Sequence, residues 1–120
     1  IRFSLAFGPV LIDHGESRRV SSYLVGEIDD EYPRAALCQK GELHYVVVTV
    51  NIEKGYQRTA DLYKFARRVE ELDVDMAYTL DGVQTAVIAM NEQLINNVMK
   101  GHQRNISDIF YFATALPDGE

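Results

Sequence analysis

The chain has 120 residues, 47% of them hydrophobic, and 12 Lys and Arg against 18 Asp and Glu give a formal net charge of −6. That length suffices for one core without a disulfide or a structural metal, and interspersed charge with high apolar content marks a globular chain, not a disordered one. The acidic excess argues against nucleic acid as a partner, the single Cys38 excludes an internal disulfide and Cys-rich zinc spacings, and no apolar stretch nears the roughly 20 residues of a membrane helix.

Residues 3–12 carry Gly8-Pro9 in their middle. Proline lacks the N–H of a central ladder, so the segment predicts an edge strand or two short ones. Asp13-His14-Gly15-Glu16 predicts a turn. Glu27, Asp29, Asp30 and Glu31 form an acidic patch, read as a solvated loop or, alternatively, a calcium or substrate-cation site, and Pro33 ends it. Residues 34–39 and 43–51, joined by Lys40-Gly41-Glu42, predict a β-hairpin. Val46, Val47, Val48 and Val50 leave little polar alternation, which predicts a central strand covered on both faces.

A loop around Gly55 spans residues 53–58. Thr59 then reads as the N-cap of an amphipathic helix over residues 59–72, with Leu62, Phe65, Ala66, Val69 and Leu72 on its apolar face. Residues 76–80 and 85–90 predict strands on either side of Asp81-Gly82, and Asn91-Glu92 a turn before Leu94-Ile95. Residues 96–105 predict a polar loop, residues 108–115 a strand by alternation, and 116–120 a frayed end. The order predicts an α+β fold: a mixed, mostly antiparallel sheet with one main helix packed on it.

Chemistry concentrates where a buried strand ends in a carboxylate and turns at a glycine. Ala77-Tyr78-Thr79-Leu80-Asp81-Gly82-Val83-Gln84-Thr85 offers a carboxylate, an amide and a hydroxyl at such a place, although Asp-Gly between apolar runs is also an ordinary hairpin turn. Arg34 opens a strand directly after Pro33. Its planar fork suits a phosphate or carboxylate; the alternatives are pairing with the acidic patch or facing water. His44, at the start of the valine strand, is a candidate general base or a packed, hydrogen-bonded histidine. His14 and His102 fall in loops. The carboxylates lack tight ligand spacing, so no metal or cofactor is expected; metal-dependent hydrolysis centred on Asp81 and the acidic patch stands as a third alternative.

Pro33-Arg34-Ala35-Ala36, the strand of residues 43–50, Gly55 and the helix from Thr59, Leu80-Asp81-Gly82, and Arg104-Asn105-Ile106-Ser107-Asp108 occur in an order and spacing that resemble the phosphodiester glycosidase family. That family includes N-acetylglucosamine-1-phosphodiester α-N-acetylglucosaminidase and bacterial exopolysaccharide biosynthesis relatives. The resemblance runs from about Phe7 onward. It implies hydrolysis of a sugar-1-phosphodiester in a phosphorylated glycan or polysaccharide, and an extracellular or cell-envelope setting. Such a reaction needs cationic groups at the phosphate, a carboxylate near the anomeric carbon and polar groups that hold the sugar. By resemblance, Arg34 clamps phosphate and Asp81 is the essential carboxylate. Gly82 admits the substrate, Gln84 and Thr85 donate hydrogen bonds, Arg104 is a second phosphate clamp, and Asn97 is a polar wall.

Two departures accompany the resemblance. Where the family's turn reads Leu-Asp-Gly-Gly, this chain has Val83 at the second glycine; at a position of positive φ a β-branched residue strains the loop. A motif of the Asn-Gly-Gly-Phe-Phe type is also absent. Residues 1–120 are therefore expected to be the C-terminal portion of one such domain, with exposed sheet edges through which copies associate. A non-catalytic glycan-binding or assembly module is the alternative function.

Overall fold

A computed structural model describes residues 4–20, 28–50, 59–98 and 101–113. Its main elements are β1 (Val10–Asp13), β2 (Glu16–Ser17), β3 (Ala35–Gly41), β4 (His44–Thr49), α1 (Leu62–Glu70), β5 (Met76–Leu80), β6 (Ala89–Met90) and β7 (Gln93–Leu94). Five strands form one sheet in the order β2-β1-β5-β3-β4, and all of its pairings are antiparallel. With α1 this is the expected α+β class.

Register decides which side chains meet. Cys38 lies opposite Ala77 and Ala36 opposite Thr79 across β3 and β5, while Val46 and Val48 continue the same rows on β4. These small residues make one face of the sheet, and α1 covers it. Leu62, Phe65 and Val69 recur at helical spacing and join Leu11, Val20, Ala36, Cys38, Val74 and Ala77 in the core. Phe65 and Val69 are 0% exposed, and full burial of side chains of this kind contributes about 1.5–3 kcal/mol each. Burial pushes the Cys38 thiol up to about 11, so it stays protonated and inert. On the opposite face Val10, Tyr45, Val47 and Met76 remain 39%, 47%, 40% and 46% exposed.

The helix begins later than the apolar spacing predicts. Asp61, not Thr59, is the N-cap: its Oδ1 accepts from the Lys64 N–H at 2.7 Å. Tyr32 donates its N–H to the Ala60 carbonyl at 3.2 Å in an isolated bridge. That bridge holds the chain extended before the helix, and the Thr59 hydroxyl is left buried without a hydrogen-bond partner.

Several strand expectations change. Among the described strands β4 lies at the end of the sheet, not its centre; its valines bury one face only, because α1 covers one side. β3 extends to Gly41, so the hairpin turn falls on Glu42-Leu43 and not on Lys40-Gly41-Glu42. In place of a strand from residue 85, a short 3-10 helix spans Val83–Thr85. Only Ala89–Met90 pairs with Gln93–Leu94, around Asn91 and Glu92 at φ 50° and 64°, the signature of a two-residue hairpin turn.

Residues 108–113 form no strand, and Tyr111 is 80% exposed. Alternation alone does not make a strand; a neighbouring backbone must take its N–H and C=O groups. The expectations for residues 3, 27, 51, 53–58, 99–100 and 114–120 fall outside the described residues.

Candidate active site

Ala35 and Leu80 are register partners at one end of the sheet. The residues just before β3 and just after β5 therefore stand side by side, which brings Pro33-Arg34 against Asp81-Gly82-Val83. Val83 donates its N–H to the Pro33 carbonyl at 2.8 Å. A Cβ on Gly82 would lie 2.5 Å from that same carbonyl oxygen and 3.6 Å from the Arg34 Cα, so only glycine fits the approach. Gly82 thus serves the contact between the two loops.

Around this contact lies a cleft of about 80 Å³, with Arg34, Asp81 and Gly82 in its wall together with Tyr32, Pro33 and Thr79. Arg34 is held from two directions: Nε donates to the Ala60 carbonyl at 2.9 Å and Nη2 to the Asp30 carbonyl at 2.8 Å. The acidic patch thus meets Arg34 through its backbone. Thr79 donates its hydroxyl to the Pro9 carbonyl at 2.8 Å, tying the segment before β1 to the same end of the sheet. The Asp81 Oδ1 accepts from the Gly82 N–H at 2.9 Å, and its Oδ2 accepts from the Arg104 guanidinium. Asp81 remains 44% exposed beside that partner.

The other sequence candidates divide by position. Arg104 reaches Asp81 from the irregular segment after residue 101. The Gln84 Nε2 donates to the His102 carbonyl at 3.0 Å, which fastens that segment near the cleft. The Thr85 hydroxyl donates to the Gly82 carbonyl at 2.6 Å within the 3-10 turn. Asn97 is exposed outside the cleft wall. His44 pairs with Gly41 at the other end of β3, about 20 Å away along a strand of that length, so the structure does not bring it to Asp81.

Val83 has φ 59°, the left-handed region that glycine adopts freely and a β-branched residue does not. Asn96 braces the same region without a mark in the sequence. Its Oδ1 accepts from the Ile88 N–H and its Nδ2 donates to the Ala86 carbonyl, both at 2.7 Å, bracing the segment that leaves the 3-10 turn. A lone Asn in a polar stretch gives no signal for such a brace. Among the described residues no three of His, Cys, Asp and Glu gather as metal ligands, and no helix is long and apolar enough to cross a membrane. Glu31 of the acidic patch pairs instead with Lys64 at 2.6 Å.

The family model for phosphodiester glycosidases matches residues 1–113. The chain belongs to the phosphodiester glycosidase family. A crystal structure of a hypothetical protein from Synechocystis superposes on this chain with a TM-score of 0.65 at 22% identity, a likeness of fold. It covers 79% of this chain and 18% of that one, so the chain spans a small part of that protein's length. Among curated protein sequences none matches the chain.

Proposed function

We propose that the cleft between the Arg34 and Asp81 loops binds and hydrolyses a sugar-1-phosphodiester of a phosphorylated glycan. The observation that supports this most is the placement of a guanidinium and a carboxylate in one wall, through the register of Ala35 with Leu80. A volume of about 80 Å³ is well below the range of roughly 300–1,000 Å³ for pockets that enclose a whole ligand. It suits one group, the phosphate on Arg34, with the sugar lying over the open side of Asp81.

In this reading the water oxygen bonds to the anomeric carbon as the bond from that carbon to the bridging oxygen breaks. Asp81 accepts the water proton, and the phosphomonoester leaves with the bridging oxygen, its charge held by Arg34. The proton then passes to solvent. For Asp81 to act, Arg104 must turn from the carboxylate toward the phosphate.

The test is release of N-acetylglucosamine from UDP-N-acetylglucosamine by the protein and by Asp81→Asn. Loss of at least 100-fold in the variant supports the reading, in line with removal of a general acid–base group; equal release refutes it. The second reading, a glycan-binding module without turnover, draws on Val83 at positive φ and on Arg104 bonded to Asp81. Saturable glycan binding without release would favour it.

A further inference from the structure

A second concavity, of about 250 Å³, lies between the β1–β2 hairpin and α1 and shares no wall residue with the Arg34–Asp81 cleft. Its floor is apolar, with Leu11 and Val20 only 1% and 6% exposed. Three arginines line it from two sides: Arg18 and Arg19 directly after β2, and Arg67 on α1. The sequence hides this cluster, because some 50 positions separate its halves. On a chain of net charge −6, three cations gather here beside two carboxylates: Glu70 in the wall, whose Oε1 already accepts from the Ser17 hydroxyl at 2.6 Å, and Asp13, which pairs with Arg18.

Arg18 bonds Asp13 through Nη2 and so holds that carboxyl below the usual range. A guanidinium carries five N–H donors, so one such bond does not exhaust it. Tyr63, 40% exposed, forms an aromatic part of the wall.

We propose that this groove binds a phosphate group carried on a small ring, with the phosphate on Arg18, Arg19 and Arg67 and the ring against Tyr63. A planar carboxylate is satisfied by one guanidinium fork; a tetrahedral phosphate, with more charge and oxygens on several sides, suits donors arriving from opposite walls. The apolar floor lowers the local dielectric and strengthens those bonds. Tyr63 adds a flat amphipathic surface for the ring. The volume falls just under the range of roughly 300–1,000 Å³ typical of drug-sized ligands, which fits a single-ring compound. The site is independent of the proposed hydrolysis.

The experiment is an amide NMR titration of the protein with glucose 6-phosphate, inorganic phosphate and glucose at low ionic strength, repeated on Arg67→Gln and Asp81→Asn. Glucose 6-phosphate offers no phosphodiester at the anomeric carbon, so turnover does not interfere. The expected result is saturable shifts over residues 17–20 and 63–70, with affinity at least 10-fold weaker in Arg67→Gln and unchanged in Asp81→Asn. Glucose should give no shifts. Inorganic phosphate bound as tightly as the sugar phosphate would overturn the ring half of the proposal and assign the groove to the free ion. Absence of saturable shifts with either anion, or equal affinity in Arg67→Gln, would overturn it entirely. Arg67 is exposed, so its replacement leaves the fold intact, which a thermal melt checks.

Discussion

Val83 carries a backbone cost that substitution can isolate. At φ 59° a residue with a Cβ pays about 1–2 kcal/mol relative to the right-handed region. Val83→Gly removes that cost but also removes a half-buried side chain and adds freedom to the unfolded chain. Val83→Ala serves as the reference, since it loses the same outer methyl groups and keeps the Cβ. Between these two variants only the Cβ and the backbone entropy differ. Relief of about 1–2 kcal/mol set against an entropic penalty of roughly 0.5–1 kcal/mol leaves Val83→Gly more stable than Val83→Ala by about 0.5–1 kcal/mol. At an ordinary strand or helix position the order is reversed. Urea unfolding at equal slope reads the difference directly from the midpoints. An alanine variant as stable as the glycine variant, or more so, would refute the assignment of strain to this residue.

Three other outcomes follow from the same geometry. Gly82→Ala sets a Cβ 2.5 Å from the Pro33 oxygen, so it should cost about 1–3 kcal/mol as overpacking does; in the hydrolysis assay it should lower turnover by pushing the two loops apart. Asp61→Ala removes the α1 cap and should lower stability by about 1 kcal/mol, seen as a fall in Tm. Asp61 is held below the usual carboxylate range, mainly by the Lys64 backbone N–H, so its contribution is complete above the unfolded pKa and fades as pH falls through the lower folded value. The variant should therefore show a weaker acid dependence than the wild type. The Cys38 thiol rises from 9.0 to about 11 on folding, so its contribution is complete below pH 9 and is lost as pH climbs toward 11. A thiol reagent at pH 8 should label the native protein far more slowly than the urea-unfolded chain, and equal rates would contradict the burial of Cys38.

The two site loops were legible because each marks a strand end in plain residue language, a Pro-Arg before one run and an Asp-Gly after another. Their meeting was not legible, because it depends on the register of Ala35 with Leu80, which no local pattern encodes. The strain at Val83 was legible only as a condition, because the φ of 59° that creates it is a property of the folded turn. The helix start went to Asp61 over Thr59 because both residues cap well, and the Ala60 carbonyl was already engaged by Tyr32. The valine run of β4 fits a buried strand by composition, but burial of its second face depends on what else packs there. The alternation at residues 108–113 likewise describes a side-chain pattern and supplies no partner for the backbone. His44 shows the same limit: it begins a strand, as Arg34 nearly does, yet antiparallel pairing sends it to the opposite end.

A double-mutant cycle on Arg34 and Asp81 tests most directly whether the two loops form one site. The measurement is kcat/KM for hydrolysis of UDP-N-acetylglucosamine by the wild type, Arg34→Gln, Asp81→Asn and the double variant. Groups that act on the same bound phosphodiester are non-additive, so the double variant should lose much less than the product of the two single losses. Fully multiplicative losses, or an Asp81→Asn protein as active as the wild type, would contradict a shared site.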